Sequence, residues 1–407
     1  MDPMRSSLTT ATLMLVAATA ATPALGSARY SITDLSARRA EALNNNGQVL
    51  YYTTPPAWMP GTPLDRALYN PVDGSTHAIE AINTPVPVPA SSSTTAASAT
   101  APANFITRGF NDAGQIALNG SDGIGYVLNG GTLTPIAGPN AAPTWTNVAA
   151  LNNQGDVAGV QYNLQAGQST IFRTQGGEAQ IIGQSQGSIL IHDMNTAGQV
   201  VGTNIFEPNH ARALVAGLDG LVHEVMIEGA QSAWATQIND NGLAAGGVEW
   251  SDSSRASSIV LFEADSTVRE LARPDASVRW MPQSVVGLDN AGNLLANATS
   301  YLGDPYRPRA FLYADGAWTD LNDLIDPALG WTITSAVALN ELGQILANGT
   351  LLKDGTTYQS SLLLTPGGLP VPISPSPVPE PSTLAVFGTL AAALAWRQRH
   401  RHSVAGV

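Results

Sequence analysis

One alternation of apolar and polar positions recurs along the middle of the chain. An apolar residue is followed by Asn (once Asp), two mostly polar residues, Gly, and then usually a polar residue and an apolar pair. The copies centre on Asn44 and Gly47, Asn111 and Gly114, Asn152 and Gly155, Asn195 and Gly198, Asn239 and Gly242, Asp289 and Gly292, and Asn340 and Gly343. An Asn at the first position of a turn caps the backbone two residues on, and Gly supplies the positive φ that closes a hairpin with a bulge. Each copy therefore predicts a β-hairpin tip, with the flanking apolar residues ending two paired strands.

The glycines are spaced 67, 41, 43, 44, 50 and 51 residues apart, and the long first interval contains a low-complexity insert at 85–103. A third apolar segment follows each tip, as at 66–74, 169–177 and 309–316, then a turn, then a fourth, as at 178–183 and 318–324. Four short strands in roughly 45 residues is the content of a propeller blade. The seventh unit lacks its last strand, because a Pro-rich stretch begins after 361–368. The segment 29–37 (RYSITDLSA) resembles 317–325 (AWTDLNDLI) and precedes the first tip. It is expected to be the outer strand of blade seven. Closure of that kind removes the free sheet edges of an open β-array. The reading is all-β: a seven-bladed β-propeller over 29–368, with an open repeat array as the competing architecture.

The ends of the chain have a different character. Residues 1–28 read as a signal peptide: Arg5, an apolar run, and small residues near Gly26 and Ala28 for cleavage. Residues 369–381 are a Pro-rich linker, expected to be extended. A short apolar run, 382–396, follows, then Arg397, Arg399 and Arg401. As a helix that run spans ~22 Å at 1.5 Å per residue, short for a hydrocarbon core of ~30 Å. The arginines would hold the C-terminus in the cytoplasm, so the body is expected outside the inner membrane.

Composition narrows the functional classes. Of 407 residues 12% are charged, none is Cys, and Lys353 is the one lysine. Disulfide scaffolds and thiolate metal sites are excluded. Residues 29–381 hold 14 Lys and Arg against 30 Asp and Glu. A surface that acidic repels phosphate backbones, so nucleic acid is not expected as a partner. His77, His192, His210 and His223 are scattered without ligand spacing. Each tip offers at most one carboxylate, such as Asp112, Asp156, Asp240 or Asp289, too few for a calcium loop. No nucleophile elbow or phosphate loop is present. No cofactor, metal or catalytic residue is expected.

Aromatic placement is more suggestive. In this strand order the b–c and d–a connections share one face, and variable loops on a rigid scaffold are where binding sits. Trp58 and Trp250 fall in b–c connections, and Trp145, Trp234, Trp280 and Trp331 in d–a connections; Tyr301 and Tyr306 join them. This is the candidate ligand-binding face, with Trp58 and Trp250 expected to be exposed and the other tryptophans partly buried.

Two resemblances add to these readings. Val378-Pro379-Glu380-Pro381-Ser382-Thr383, an apolar run and an Arg-rich end resemble a PEP-CTERM sorting signal. That implies recognition by an exosortase-type membrane peptidase near Pro379, Glu380 and Pro381, transient residence in the inner membrane, and a Gram-negative host that often makes exopolysaccharide. The repeats, with His210-Ala211-Arg212-Ala213-Leu214 and Pro308-Arg309-Ala310-Phe311, resemble HAF-type extracellular repeats, although the literal triplet is absent. Together they imply a non-enzymatic envelope or matrix protein, destined for the cell surface or beyond, that binds exopolysaccharide or serves a structural role. A propeller enzyme acting on polysaccharide is the alternative, and converging carboxylates at the channel would favour it.

Overall fold

Each Asn/Gly motif folds into the tight hairpin that its residues dictate. The first residue bonds the backbone four residues on, as in Asn44 N to Gln48 O at 3.1 Å, and the glycine N–H returns to it, as in Gly47 N to Asn44 O at 3.0 Å. All seven motif glycines have φ between +70° and +85°, where a side chain is strained. The Asn Oδ1 accepts two backbone N–H groups, those of Asn46 and Gln48 in the first tip, at 3.1 and 2.9 Å.

These tips join strands a and b of seven four-stranded antiparallel sheets. The computed structural model describes residues 30–367 except 37–38, 53–65, 80–104, 141–144, 164–166, 186, 208–209, 217–221, 264–266, 276 and 301–306. The signal segment 1–28, the insert 85–103, the linker 369–381 and the sorting tail 382–407 with its expected helix lie outside the described residues. The inner a strands are Arg39–Leu43, Phe105–Phe110, Trp145–Leu151, Ser188–Met194, Ala230–Ile238, Val278–Leu288 and Trp331–Leu339. The fold is a seven-bladed β-propeller. Among the described residues the only helical turns are two 3-10 segments, Leu321–Leu324 and Pro327–Leu329. The first of these shortens the fourth strand of blade six, which the sequence pattern carried to 324, to Ala317–Asp320. Asp320 caps the turn by accepting from Asn322 N, at 2.9 Å.

The ring closes through the N-terminus. Tyr30–Asp34 pairs antiparallel with Thr356–Pro366, in register from Tyr30 opposite Pro366 to Asp34 opposite Leu362. Tyr30 and Ile32 pack on a core that includes Ile345, Leu362 and Leu364. Blade seven thus takes its outer strand from the start of the body.

Burial falls from the axis outward. In blade three, Val157 to Val160 of strand b are all buried, whereas the outer strand of blade one, Thr76–Ala78, is wholly exposed. The apolar cores lie between blades: Ile259 and Leu271 of blade five pack with Trp280, Val285 and Phe311 of blade six. Every a strand also carries a β-bulge three residues before its tip residue, at Glu41, Arg108, Ala149, His192, Thr236, Val286 and Val337. A bulge leaves one residue outside the ladder and bends the strand, and its repetition sets seven such side chains at one level of the inner wall.

The inner edge of each sheet would leave N–H and C=O groups unpaired. Side chains of the preceding blade satisfy several of them. Asn297 brackets Ala336 (Nδ2 to O 2.9 Å; N to Oδ1 2.7 Å), Ser361 accepts from Ala40 N at 2.8 Å, and Asp193 accepts from Ile238 N at 2.9 Å. At the first seam the buried Arg66 donates to Glu41 Oε2 at 2.8 Å and to Phe105 O at 2.8 Å.

Candidate functional site

The first residues of the seven tips are all buried, between 3% and 5% exposed, although the sequence placed them at hairpin ends. The reason is a second role for the Asn amide. Nδ2 of Asn44, Asn111, Asn152, Asn195, Asn239 and Asn340 each donates to the carbonyl of the equivalent residue in the next blade, at 2.9–3.2 Å. The remaining amide proton goes to the Gln four residues on in four tips, for example Asn111 to Gln115 at 2.7 Å. Blade six departs from this. Asp289 has no donor to offer Asn340; it accepts instead from Asn293, N at 2.8 Å and Nδ2 at 2.7 Å. Six of seven links close.

A second ring runs outside the first. In six of the seven tips the residue after the first motif residue receives a backbone N–H from the previous blade: Asp112 from Asn45, Asn153 from Asp112, Asp240 from Thr196, Asn290 from Asp240, Glu341 from Asn290 and Asn45 from Glu341, at 2.7–3.0 Å. Asn45, Asp112, Asn153, Asp240 and Glu341 rim a pocket of about 170 Å³ at the mouth of the channel, above Leu43, Phe110, Leu151, Met194, Ile238 and Leu288. Three of the rim residues are acids. Partial burial pushes the Glu341 carboxyl up, and the charges of Asp289, Asp240 and Asp112 add to the shift. The rim can therefore hold a proton or receive donors. Among the described residues no group of three or more His, Cys, Asp or Glu is placed to hold a metal ion.

A wider opening lies where the inner ring fails to close. Between blades six and seven a groove of about 660 Å³ is lined by Tyr30, Arg269, Asp289, Asn293, Tyr313 and Asp315, with Leu312 and Leu339. Tyr313 leans on Trp318 at 5.1 Å between ring centres. Gly292 and Gly343 keep this wall free of side chains.

The tryptophans expected to form one binding face are divided. Trp250, expected to be exposed, is 9% exposed: it donates to Ser258 Oγ at 3.0 Å under the Arg255 guanidinium, 3.4 Å from the ring centre. Trp280 is also buried, packed on Phe311 and Trp318 at 5.7 and 4.9 Å. Trp234 and Trp331 are half-buried. Trp145 instead is 60% exposed, lying over Gly123, where an added Cβ would come within 3.2 Å of its ring. Trp58, Tyr301 and Tyr306 lie outside the described residues.

Residues 377–399 match the PEP-CTERM protein-sorting motif. The match takes in Pro379, Glu380, Pro381, Arg397 and Arg399. It implies an exported protein that is anchored or processed at the membrane by an exosortase. No curated protein matches the chain. Among solved structures the chain is similar to YCF48 bound to D1 peptide, at 13% identity and a TM-score of 0.46, over 85% of this chain and 99% of that one. It is similar also to the β-propeller domain of the Trilobed protease from Pyrococcus furiosus, at 11% identity and a TM-score of 0.46, over 81% and 97%. The putative TolB from Agrobacterium tumefaciens is similar at 13% identity and a TM-score of 0.38, over 53% and 80%.

Proposed function

We propose that the protein is a non-enzymatic binding module of the cell envelope or extracellular matrix, and that its ligand is an exopolysaccharide. The observation that supports a binding role is the groove between blades six and seven. Its tyrosines offer apolar ring faces to a sugar, and Asp289, Asn293, Asp315 and Arg269 offer acceptors and donors to hydroxyls. The net acidity of the body favours a neutral or cationic polymer over a polyanion at this exposed site. Sorting by an exosortase-type peptidase would deliver the module to the surface where such polymers are, and the HAF-like repeat pattern belongs to the same reading. In a titration of the full-length protein with exopolysaccharide from the producing host, Tyr313→Ala should weaken binding about tenfold, the loss of one good stacking contact. Unchanged affinity would remove the groove as the site.

A second reading is a polysaccharide-cleaving enzyme. It draws on the acidic rim, where the raised Glu341 carboxyl shares the pocket with Asp112 and Asp240, as two carboxyls share the site of a glycosidase. Against it, Asp112, Asp240 and Glu341 each serve as acceptors for a neighbouring blade. New reducing ends that appear with the wild type and vanish with Glu341→Gln would establish the enzyme and overturn the binding reading.

A further inference from the structure

The bulge level of the inner wall is uneven in one place. Blade three carries Ala149 there, while the blades on either side carry Arg108 and His192. The missing side-chain volume leaves a pocket of about 260 Å³. Asn147 and Tyr162 form its polar wall, and Val160 and Leu190 its apolar floor. No carboxylate lines it.

Arg108 is unusual among the cations of this acidic body. Arg66, Arg212, Arg255, Arg269 and Arg309 are each paired with a carboxylate. Arg108 is exposed to the pocket and has no ion pair, hydrogen bond or ring contact among the described residues. Its bulge neighbour Glu41 is already held by Arg66. Two further groups are set beside it. His192 spends Nε2 on Thr203 Oγ1 at 3.2 Å, and burial lowers the ring to about 4, so it stays neutral at pH 7. Asn147 is anchored through Oδ1 by the Asn119 amide, which turns its own Nδ2 away from that contact.

We propose that this pocket is a second binding site, for one carboxylate-bearing sugar of the uronate class. The guanidinium fork matches a carboxylate with two parallel hydrogen bonds. The floor of Val160 and Leu190 takes the C–H face of the ring, and His192 and Asn147 take hydroxyls. The long-range repulsion of a negatively charged body is screened beyond ~8 Å at physiological salt, so the local cation decides. The site is separate from the groove of blades six and seven and stands without it.

Calorimetric titration of the full-length protein with sodium glucuronate, glucose and sodium sulfate tests this. Glucuronate should saturate one site, with glucose and sulfate giving no comparable heat. Arg108→Gln should weaken glucuronate at least about tenfold, the worth of a charged hydrogen-bond pair, and should leave the melting temperature unchanged because Arg108 holds nothing in place. Ala149→Leu fills the pocket and should do the same. Tyr313→Ala should leave glucuronate affinity intact, which separates this site from the groove. The proposal fails if the wild type shows no saturable binding, if Arg108→Gln binds as well as wild type, if glucose or sulfate matches glucuronate, or if Tyr313→Ala abolishes the signal.

Discussion

The seam between blades five and six and the seam between blades six and seven are built from equivalent tip positions, and differ at two of them, Asn239 against Asp289 and Asn241 against Ala291. At the first, Asn239 donates its amide to Asp289 O at 2.9 Å, Asn241 adds a second amide to Asn290 O at 2.8 Å, and the rim is shut. At the second, a carboxylate oxygen of Asp289 stands where the amide nitrogen would be, Asp289 donates nothing to Asn340, and a groove of about 660 Å³ opens. The seam still holds lower down, where Asn297 brackets Ala336. The difference teaches that the tip ring is a set of separable links, each able to be traded for an opening without loss of the blade behind it.

The strongest way to break the comparison is to open the circle altogether. A body starting at residue 38 lacks Tyr30–Asp34 and with it five ladder positions and two half-buried side chains. The expected loss is ~5 kcal/mol, from apolar burial and hydrogen bonds together, seen as a large fall in melting temperature against a body starting at 29. An unchanged melt would mean that the seventh blade stands on three strands.

Next in size is the conversion of the closed seam into an open one. Asn239→Ala removes the amide donor and leaves the N–H groups of Asn241 and Leu243 without their Oδ1 acceptor. Burying such orphans costs ~2–4 kcal/mol in all, measurable by chemical denaturation. The reverse experiment is smaller. Asp289→Asn with Asn293→Gln restores the motif of the other tips and should add ~1 kcal/mol, while narrowing the groove and weakening any ligand held there. If stability does not rise, the backbone at this seam is too far apart for the amide to reach.

pH gives the finest probe. Burial pushes the Asp193 carboxyl, at the seam of blades four and five, up to about 6 from an ordinary 3.8. A carboxyl raised in the folded state binds its proton there more tightly than in the unfolded chain. The contribution of Asp193 to stability is therefore greatest below about 4, falls as pH rises towards about 6, and stays lower above that. Glu341, raised as well, acts in the same direction. Asp193→Asn should flatten the dependence, and Asp289→Asn should bring the Glu341 titration down, which carbon-detected NMR would follow.

Much of this architecture was readable from the chain. Seven tips, four strands per unit and the N-terminal closing strand all follow from the period, the turn chemistry and the echo of 317–325 in 29–37. The links between blades were not read, yet a signal existed. A turn cap needs only an oxygen acceptor, so Asp or Ser would serve; the use of Asn in six of seven copies points to a donor, and Gln48, Gln115, Gln199 and Gln344 mark its second partner. The tryptophans misled for a different reason. Position near a loop fixes which end of a strand a residue occupies but not its facing, so Trp250 could turn inward to Ser258 and Trp145 outward over Gly123. The Arg108 pocket depends on an alanine at the equivalent position of the next blade, which no local pattern announces.

The closing strand also has a consequence in time. Ser31 and Thr365 are hydrogen-bonded neighbours separated by 334 positions of chain. The first strand to emerge must wait, unpaired, until almost the last has followed it. Contacts of such sequence separation form late and leave an edge open meanwhile. A body cut short at any of its blades can never shut that edge. Closure is in this sense a test of completeness: a propeller that has sealed is one whose whole body has been delivered.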